Sequence, residues 1–472
     1  MSSFSSLNTA LSGQQAHKRV IDVIGHNIAN VNSDGYTRRS VLLEPSVGMR
    51  ISSKYDTEFS WNNLGVNIAG VNRIRDSFLD LKARASLANS ASASRLDNIL
   101  GGVESTFPEP SDTAIAGQLS AFWNSFAEAA NNPGSIPQRS AVLAQAATVA
   151  SSLNQAAADL QTQHDDLSSQ LTMVVDQVNV LARQVAELNS QIRAASVSGM
   201  DSGDLADQRD VLIDQLTQIS GATTRPGEYN QIDIMLGGST LVSGSRTETI
   251  KAVSIGALPS PLNNLQVQET QVQWARDGYP VAGFGGELGA MVQGVNDVIP
   301  RYMHDLDTVA ASLVTTVNGI HNTGQGQDTV NDVNLDFFDA ASMTAATIKL
   351  SADVDGQPSR LALGAVGAGA LDGSIGHQLG AAGTLATSPD SLHRAMIGRL
   401  GVEAQTATSR AATQQKFVTQ AENDRQAVSG VNLDEEMTNL VMSQRAYESS
   451  ARLMTTVDEM LDTLINRTGA GR

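Results

Sequence analysis

The stretch VLAQAATVASSLNQAAADLQTQHDDLSSQLTMVVDQVNVLARQVAELNSQI, residues 142–192, decides the fold. Val142, Ala146, Val149, Leu153, Ala157, Leu160, His164, Leu167, Leu171, Val174, Val178, Leu181, Val185, Leu188 and Ile192 follow one another in steps of three and four. Such steps keep an apolar stripe on one side of an α-helix, and about seven heptads of them make a coiled-coil seam with one polar interruption, His164. No proline or glycine occurs from 138 to 198. At 1.5 Å per residue the helix extends roughly 90 Å, and one stripe of that length needs partner helices to cover it.

Partners lie in the same chain. SDTAIAGQLSAFWNSFAEAANNP starts on a Ser111/Asp112 cap signal and stops at Asn131-Asn132-Pro133. Residues 389–428 read as another helix, and 285–322 as one interrupted near Pro300. Between them the period changes. QIDIMLGGSTLVSGSRTETIKAV alternates around Gly237-Gly238, the pattern of a hairpin, and NNLQVQETQVQWARDGYPV continues it. AATIKLSADV is a further strand candidate, and 356–387, rich in Gly, Ala and Ser, reads as irregular chain. The fold class is therefore α+β and mainly α, a long-helix bundle with coiled-coil packing and a small β-rich domain.

Further outward, both ends are helical. Leu7, Ala10, Gln14, His17, Ile21, Ile24, Ile28 and Val31 step by threes and fours and run into GHNIANVNSDGYTRR, residues 25–39. Asparagine tolerates the left-handed backbone at a helix end, and Asp34-Gly35 suits a tight turn, so the chain reverses there. Leu433, Met437, Leu440, Gln444, Tyr447, Ala451, Met454, Asp458, Leu461 and Ile465 form the matching seam after Asn432. Asp434, Glu435 and Glu436 sit in its first turn, where the helix dipole favours carboxylates. The two terminal helices are expected to pair with each other or with copies of themselves. Each narrow seam gives a lone chain little burial, so ordering on assembly is expected, with weak amide protection at 5–30 and 435–465 in free protein.

Acidic residues outnumber basic ones, 49 to 31, for a net charge of −18. No basic excess exists to release counterions from nucleic acid or to hold an anionic membrane, so neither is an expected partner. Cysteine is absent, which excludes disulfides and thiolate metal sites. No run of about 18 apolar residues is present to span a membrane. The opening MSSFSSLNTALSGQQAHKR lacks a basic start and an apolar stretch, so no cleaved secretory signal is expected.

Catalytic patterns are missing. The seven histidines form no HExxH, and no phosphate loop, nucleophile elbow or dinucleotide fingerprint occurs. Asp332, Asn334 and Asp336 have calcium-loop spacing but lack the glycine and the final acid that such loops use. DLADQRDVLIDQL lines Asp204, Asp207, Asp210 and Asp214 along one side of a helix, which reads as a solvated face. No enzyme, cofactor or metal is expected.

ALSGQQAHKRVIDVIGHNIANVNSDGYTRR resembles the N-terminal signature of bacterial flagellar axial proteins, the rod, hook and hook–filament junction subunits. VSGVNLDEEMTNLVMSQRAYESSARLMTTVDEMLDTLIN resembles their C-terminal signature. AFWNSFAEAANNPGSIPQRSAVLAQAATVASSL, DLADQRDVLIDQLTQISG and VNGIHNTGQG followed by Asp336-Phe337-Phe338 are similar to internal blocks of the hook-associated protein 1 family, the first hook–filament junction subunits. The stretches 246–283 and 341–388 carry no such likeness.

The resemblance implies a structural subunit, an adaptor needed for filament assembly and motility, in an extracellular tube exported by the flagellar type III apparatus. It implies an inner-tube domain of 1–35 with 431–472, a middle domain of 36–225 with 284–340 and 389–430, and a β-rich outer domain of 226–283, with 341–388 a possible addition. The implied partners are copies of itself, the hook protein below, the next junction protein above, and an export chaperone at the C-terminal helix. Candidate assembly residues are Leu7, Leu11, Ile21, Ile24, Asn27, Ile28, Asn30, Asn32, Gly35 and Tyr36, with Leu433, Met437, Leu440, Tyr447, Met454 and Leu461. The turn is expected to set Asn27, Asn30, Asn32 and Tyr36 against neighbouring subunits, or else to be an ordinary helix stop. Competing readings are a hook or distal-rod subunit and, in another class, a secreted coiled-coil adhesin.

Overall fold

The computed structural model describes residues 3–47, 63–265, 267–328 and 332–463. Ile465 of the carboxyl seam and the middle of the calcium-like loop, residues 329–331, lie outside them. Helix α1 (Ser3–Ala29) leads through a turn to an antiparallel hairpin, β1 (Arg39–Val47) and β2 (Asn63–Arg73), with Arg39 opposite Arg73. Then come α2 (Ser77–Thr106), α3 (Ile115–Asn131), α4 (Ile136–Ser198) and α5 (Gly203–Ser220). A four-stranded antiparallel sheet follows, β3 (Thr223–Pro226), β4 (Ile232–Leu236), β5 (Ser239–Ser243) and β6 (Arg246–Thr247), and after it the pair β7 (Ile250–Ala257) and β8 (Gln268–Trp274). The chain continues as α6 (Gly286–Gln293), α7 (Ile299–His321), β9 (Gly324–Gln325), β10 (Gly364–Ala365), α8 (Ser374–Ala382), α9 (Pro389–Ser429) and α10 (Leu433–Asp462). The fold is α+β and mainly α.

The long seam forms one helix of 63 residues. Most of it is buried, His164 included, against α3, α5, α6 and α7. Where the seam reads Val174, the side chain sunk in the core is Val175. A straight helix turns every 3.6 residues, so a 3.5-residue pattern drifts around it. At the end of α4, Gly199 takes the left-handed conformation and closes the last turn. One continuous core runs from Ile99 on α2 to Ala407 on α9 and includes an aromatic nest of Phe122, Phe126, Phe337 and Phe338.

The β segments are clipped to the helices by asparagines. Asn179 Nδ2 donates to Ile250 O (2.8 Å) while its Oδ1 accepts from Ile250 N (2.9 Å). Asn189 donates to Ile232 O and Gly244 O and accepts from Ile232 N. Asn296 grips Thr270 in the same way, and Asn318 grips Phe337 and Phe338. A carboxamide presents one donor and one acceptor in the plane of a peptide group, so each stands in for a missing neighbouring strand.

Several local expectations are corrected. Helix α3 begins at Ile115 with Ala114 as its cap and no side-chain cap bond, because Ser111 and Asp112 lie in the turn before it. AATIKLSADV is not a strand: only Leu350 makes a ladder bridge, to Phe338. The Gly/Ala-rich 356–387 contains the helix α8, which packs directly on α3 through Gly380 against Ala127, with Gly383 just past its end against Trp123. The interruption near Pro300 is a π-turn at Gly294–Val298, preceding the proline and absorbing the bond and space its ring removes.

His321 closes α7 from the inside. Its Nδ1 lies 2.6 Å from Leu335 O, and its Nε2 accepts from Ala362 N at 2.9 Å, so the ring is neutral with its proton on Nδ1. Burial pushes its pKa down to about 4 from the usual 6.5. Between those values the unfolded chain binds the proton and the folded chain does not, so stability falls as pH drops through that window. The expected loss is about 3 kcal/mol from pH 7 to pH 4. Urea midpoints against pH measure it, and His321→Gln should flatten that part of the profile.

Candidate functional site

The two ends meet at α1 and α10, which run antiparallel. The side chains buried along their contact are mostly small: Ala10, Ala16 and Val23 on α1, Ser443 and Val457 on α10. At Gly13 an added β-carbon would stand 3.2 Å from Ser450 Oγ, so the backbones approach closely there. The apolar seams read from the sequence flank this line instead of forming it. Ile24 is buried, whereas Leu7, Ile21, Ile28, Leu440, Tyr447, Met454 and Leu461 are half-buried and Leu11, Leu433 and Met437 are exposed. At about 100° per residue, Leu433, Met437 and Val441 lie on one flank of the α1-facing stripe. Met442, Leu453 and Met460 lie on the other, and all six are exposed.

A polar knot ties the turn after α1 to the start of α10. Asn27 is buried and fully used: Nδ2 donates to Arg39 O (2.9 Å) and Glu436 Oε2 (3.0 Å), and Oδ1 accepts from Arg39 N (3.1 Å) and Tyr36 OH (2.7 Å). Burial above all pushes the Tyr36 pKa up to about 12, which keeps its hydroxyl a neutral donor. Glu436 is buried too, and its Oε1 accepts from Arg38 Nε at 2.8 Å. Asn432 caps α10 through the backbone N–H groups of Asp434 and Glu435. Within one chain, then, Asn27 and Tyr36 are engaged in joining the ends. Asn30 donates to His26 O, and Asn32 and Gly35 are exposed. Gly35 has φ of +75°, and a β-carbon there would overlap Val211 of α5, so this position requires glycine twice over.

The aspartate row of α5 is not a solvated face. Asp207 and Asp210 are buried under four arginines brought from β1, the end of β2 and α2. Arg39 Nη2 donates to Asp204 Oδ1 (2.5 Å) and Asp207 Oδ2 (2.9 Å). Arg73 Nη2 lies 2.7 Å from Asp207 Oδ1 and donates to Asp210 Oδ2 (2.5 Å). Arg75 also reaches Asp210, Arg84 bridges Asp210 and Asp214, and Arg425 of α9 pairs with Asp214 at 2.8 Å. Spacing showed that the carboxylates share a side; it carried no signal of what that side meets. The arginines of the knot and the row, with Glu436, are the site residues that sequence reasoning missed.

Clefts of about 790 and 820 Å³ flank the turn at 30–36, the first between it and the α9–α10 junction, the second between it and α4 and α5. The first is lined mainly by polar side chains, Arg38, Arg75, Asp210 and Arg425 among them, and the second also by the apolar Leu188, Val211 and Leu212. No group of three or more metal-ligating side chains gathers among the described residues. In the calcium-like loop, Asp332 faces Arg360 and Asp336 accepts from Asn322. No helix among the described residues is long and apolar enough to cross a membrane.

Comparison with known proteins fits this architecture. Residues 100–338 match the family described as flagellar hook-associated protein FlgK helical domain. Residues 7–37 match the flagella basal body rod protein family, and 413–467 the C-terminal family of flagellar basal body rod FlgEFG proteins. Flagellar hook-associated protein 1 of Bacillus subtilis is 30% identical over 100% of this chain and 99% of its own length. The Escherichia coli protein of that name is 24% identical over 98% and 99%. The structure titled as that of the flagellar hook junction protein FlgK from Burkholderia pseudomallei superposes with a TM-score of 0.61. At 15% identity, covering 74% of this chain and all of that one, it speaks for the fold. With both terminal signatures, the helical domain and a full-length relative in agreement, the chain belongs to the flagellar hook-associated protein 1 family, structural subunits of the hook–filament junction.

Proposed function

We propose that copies of this chain form a tubular segment outside the cell at the distal end of the hook, with hook protein below and the next junction protein above. The observation that carries this reading is the pair of exposed apolar flanks on α10. Met437 and Val441 face one way and Met442 and Leu453 the other, so one helix offers an apolar surface to a neighbour on each side. Burial at about 25 cal/mol per Å² on both flanks would stabilise the contact with each neighbour. Leu7, Leu11, Ile21, Ile28, Asn30, Asn32 and Tyr36 belong to the same proposed surface on the α1 side. In this reading α1 and α10 form the inner wall, the long helices the middle layer and the β-rich segments the outer one. Export proceeds through the flagellar type III apparatus, with a chaperone shielding the α10 flanks beforehand, and the subunit has no catalytic role.

The test is complementation of a strain lacking the chain with Met437→Asp/Val441→Asp. Expected are cells with hooks but without filaments, and purified variant with unchanged helicity. Filaments in normal number would sink the interface. Gold label along the whole hook, instead of at its tip, would sink the junction placement.

A further inference from the structure

Among the described residues the inner unit and the body share no apolar core. The continuous core contains no residue of α1, the β1–β2 hairpin or α10. What crosses from the hairpin base to α5 is charge: Arg39 over Asp204 and Asp207, and Arg73 over Asp207 and Asp210. Further along the same row, Arg75, Arg84 and Arg425 hold Asp210 and Asp214 from within the body. The row thus has a fixed end and an end held only by the hairpin.

Several features of the hairpin end permit movement. Each arginine straddles two carboxylates three residues apart, a step of about 4.5 Å along the helix. Three residues before Asp204, in the segment that leads into α5, Asp201 is exposed, accepts from Gly203 N at 2.9 Å and pairs with no cation among the described residues. Arg39 Nε and Arg73 Nε are shut off from solvent yet meet no acceptor. The Arg39 guanidinium also lies directly on Gly203, where a β-carbon would come within 2.7 Å of Cζ, so no side chain bars its path. Open clefts lie on both sides of the neighbouring turn.

We propose that this row is a sliding joint. The hairpin, with α1 and α10 attached through Asn27, Arg38 and Glu436, moves one rung toward the start of α5. Arg39 then spans Asp201 and Asp204, Arg73 spans Asp204 and Asp207, and Asp210 stays held by Arg75 and Arg84. Every arginine keeps two carboxylates, so the two registers differ little in energy and the inner pair changes its position against a rigid body. The inference is independent of where the subunit sits in the flagellum.

The absence of cysteine makes the test direct. Spin labels at Ser449→Cys on α10 and Gln215→Cys on α5, both exposed, report the distance across the joint in the full chain. Two distances differing by about 4 Å are expected, and adding Asp201→Lys should leave only the register now seen. A single distance before and after that change overturns the proposal. So do two distances that both persist in Asp201→Lys, since the motion then runs through another path. Asp201 is exposed and outside the core, and circular dichroism of the labelled chains fixes that the body is intact.

Discussion

Asp210→Asn should lower the stability of the helical body by about 3–5 kcal/mol, read as a shift in the urea unfolding midpoint. Asp210 is almost closed to water, and its two oxygens face Arg73, Arg75 and Arg84, with Arg209 at 4.0 Å. Burial alone would push this carboxyl up; the guanidiniums, Arg75 foremost, outweigh burial and hold it below the usual carboxylate range. An amide keeps the shape but leaves buried cations without their counter-charge, facing an NH₂ group. The sign with pH follows: this contribution is complete above the ordinary aspartate value and is lost as pH falls through the lowered one. Asp204→Asn is the contrast. That side chain is 66% exposed, so its pair with Arg39 is screened and the loss should stay under about 1 kcal/mol.

Phe337→Ala should cost about 3–5 kcal/mol, because a fully buried ring leaves a cavity its neighbours cannot fill. Its ring centroid is 5.5 Å from that of Phe126 and 4.9 Å from that of Phe338, and it meets His321 edge-on at 5.5 Å. The neighbouring backbone is pinned by Asn318, so the chain cannot collapse inward without breaking those bonds. Calorimetric melting gives the magnitude. Amide exchange should show the loss concentrated at 335–362, which His321 ties to the same nest.

The helices with a long period or a clean cap were legible in the sequence. The α4 seam, the stop at Asn131-Asn132-Pro133, the Asn432 cap and the Gly237-Gly238 turn each depend on residues within one turn of each other. What stayed hidden depends on distant partners. Asn179 and Asn189 look like polar breaks in a helix until Ile250 and Ile232 arrive beside them. The aspartates of α5 show a periodicity whose meaning is set by arginines more than a hundred residues away. The strands β1 and β2 have little alternation of their own and pack on α1, and the line joining α1 to α10 is mostly alanine, glycine and serine, residues with little apolar signal. Of the candidate assembly residues, Asn27 and Tyr36 were legible as special but not as partners of Glu436 and Arg39.

Asn27 and Glu436 are 409 positions apart, and their bond has a temporal meaning. A ribosome releases the first helix long before the last, so the opening segment waits, single, through nearly all of translation. The asparagine-clipped strands lie at most 71 positions from their clips and can settle while synthesis continues. These local units can therefore form first, and the amino terminus finds its mate only when the polypeptide is all but finished.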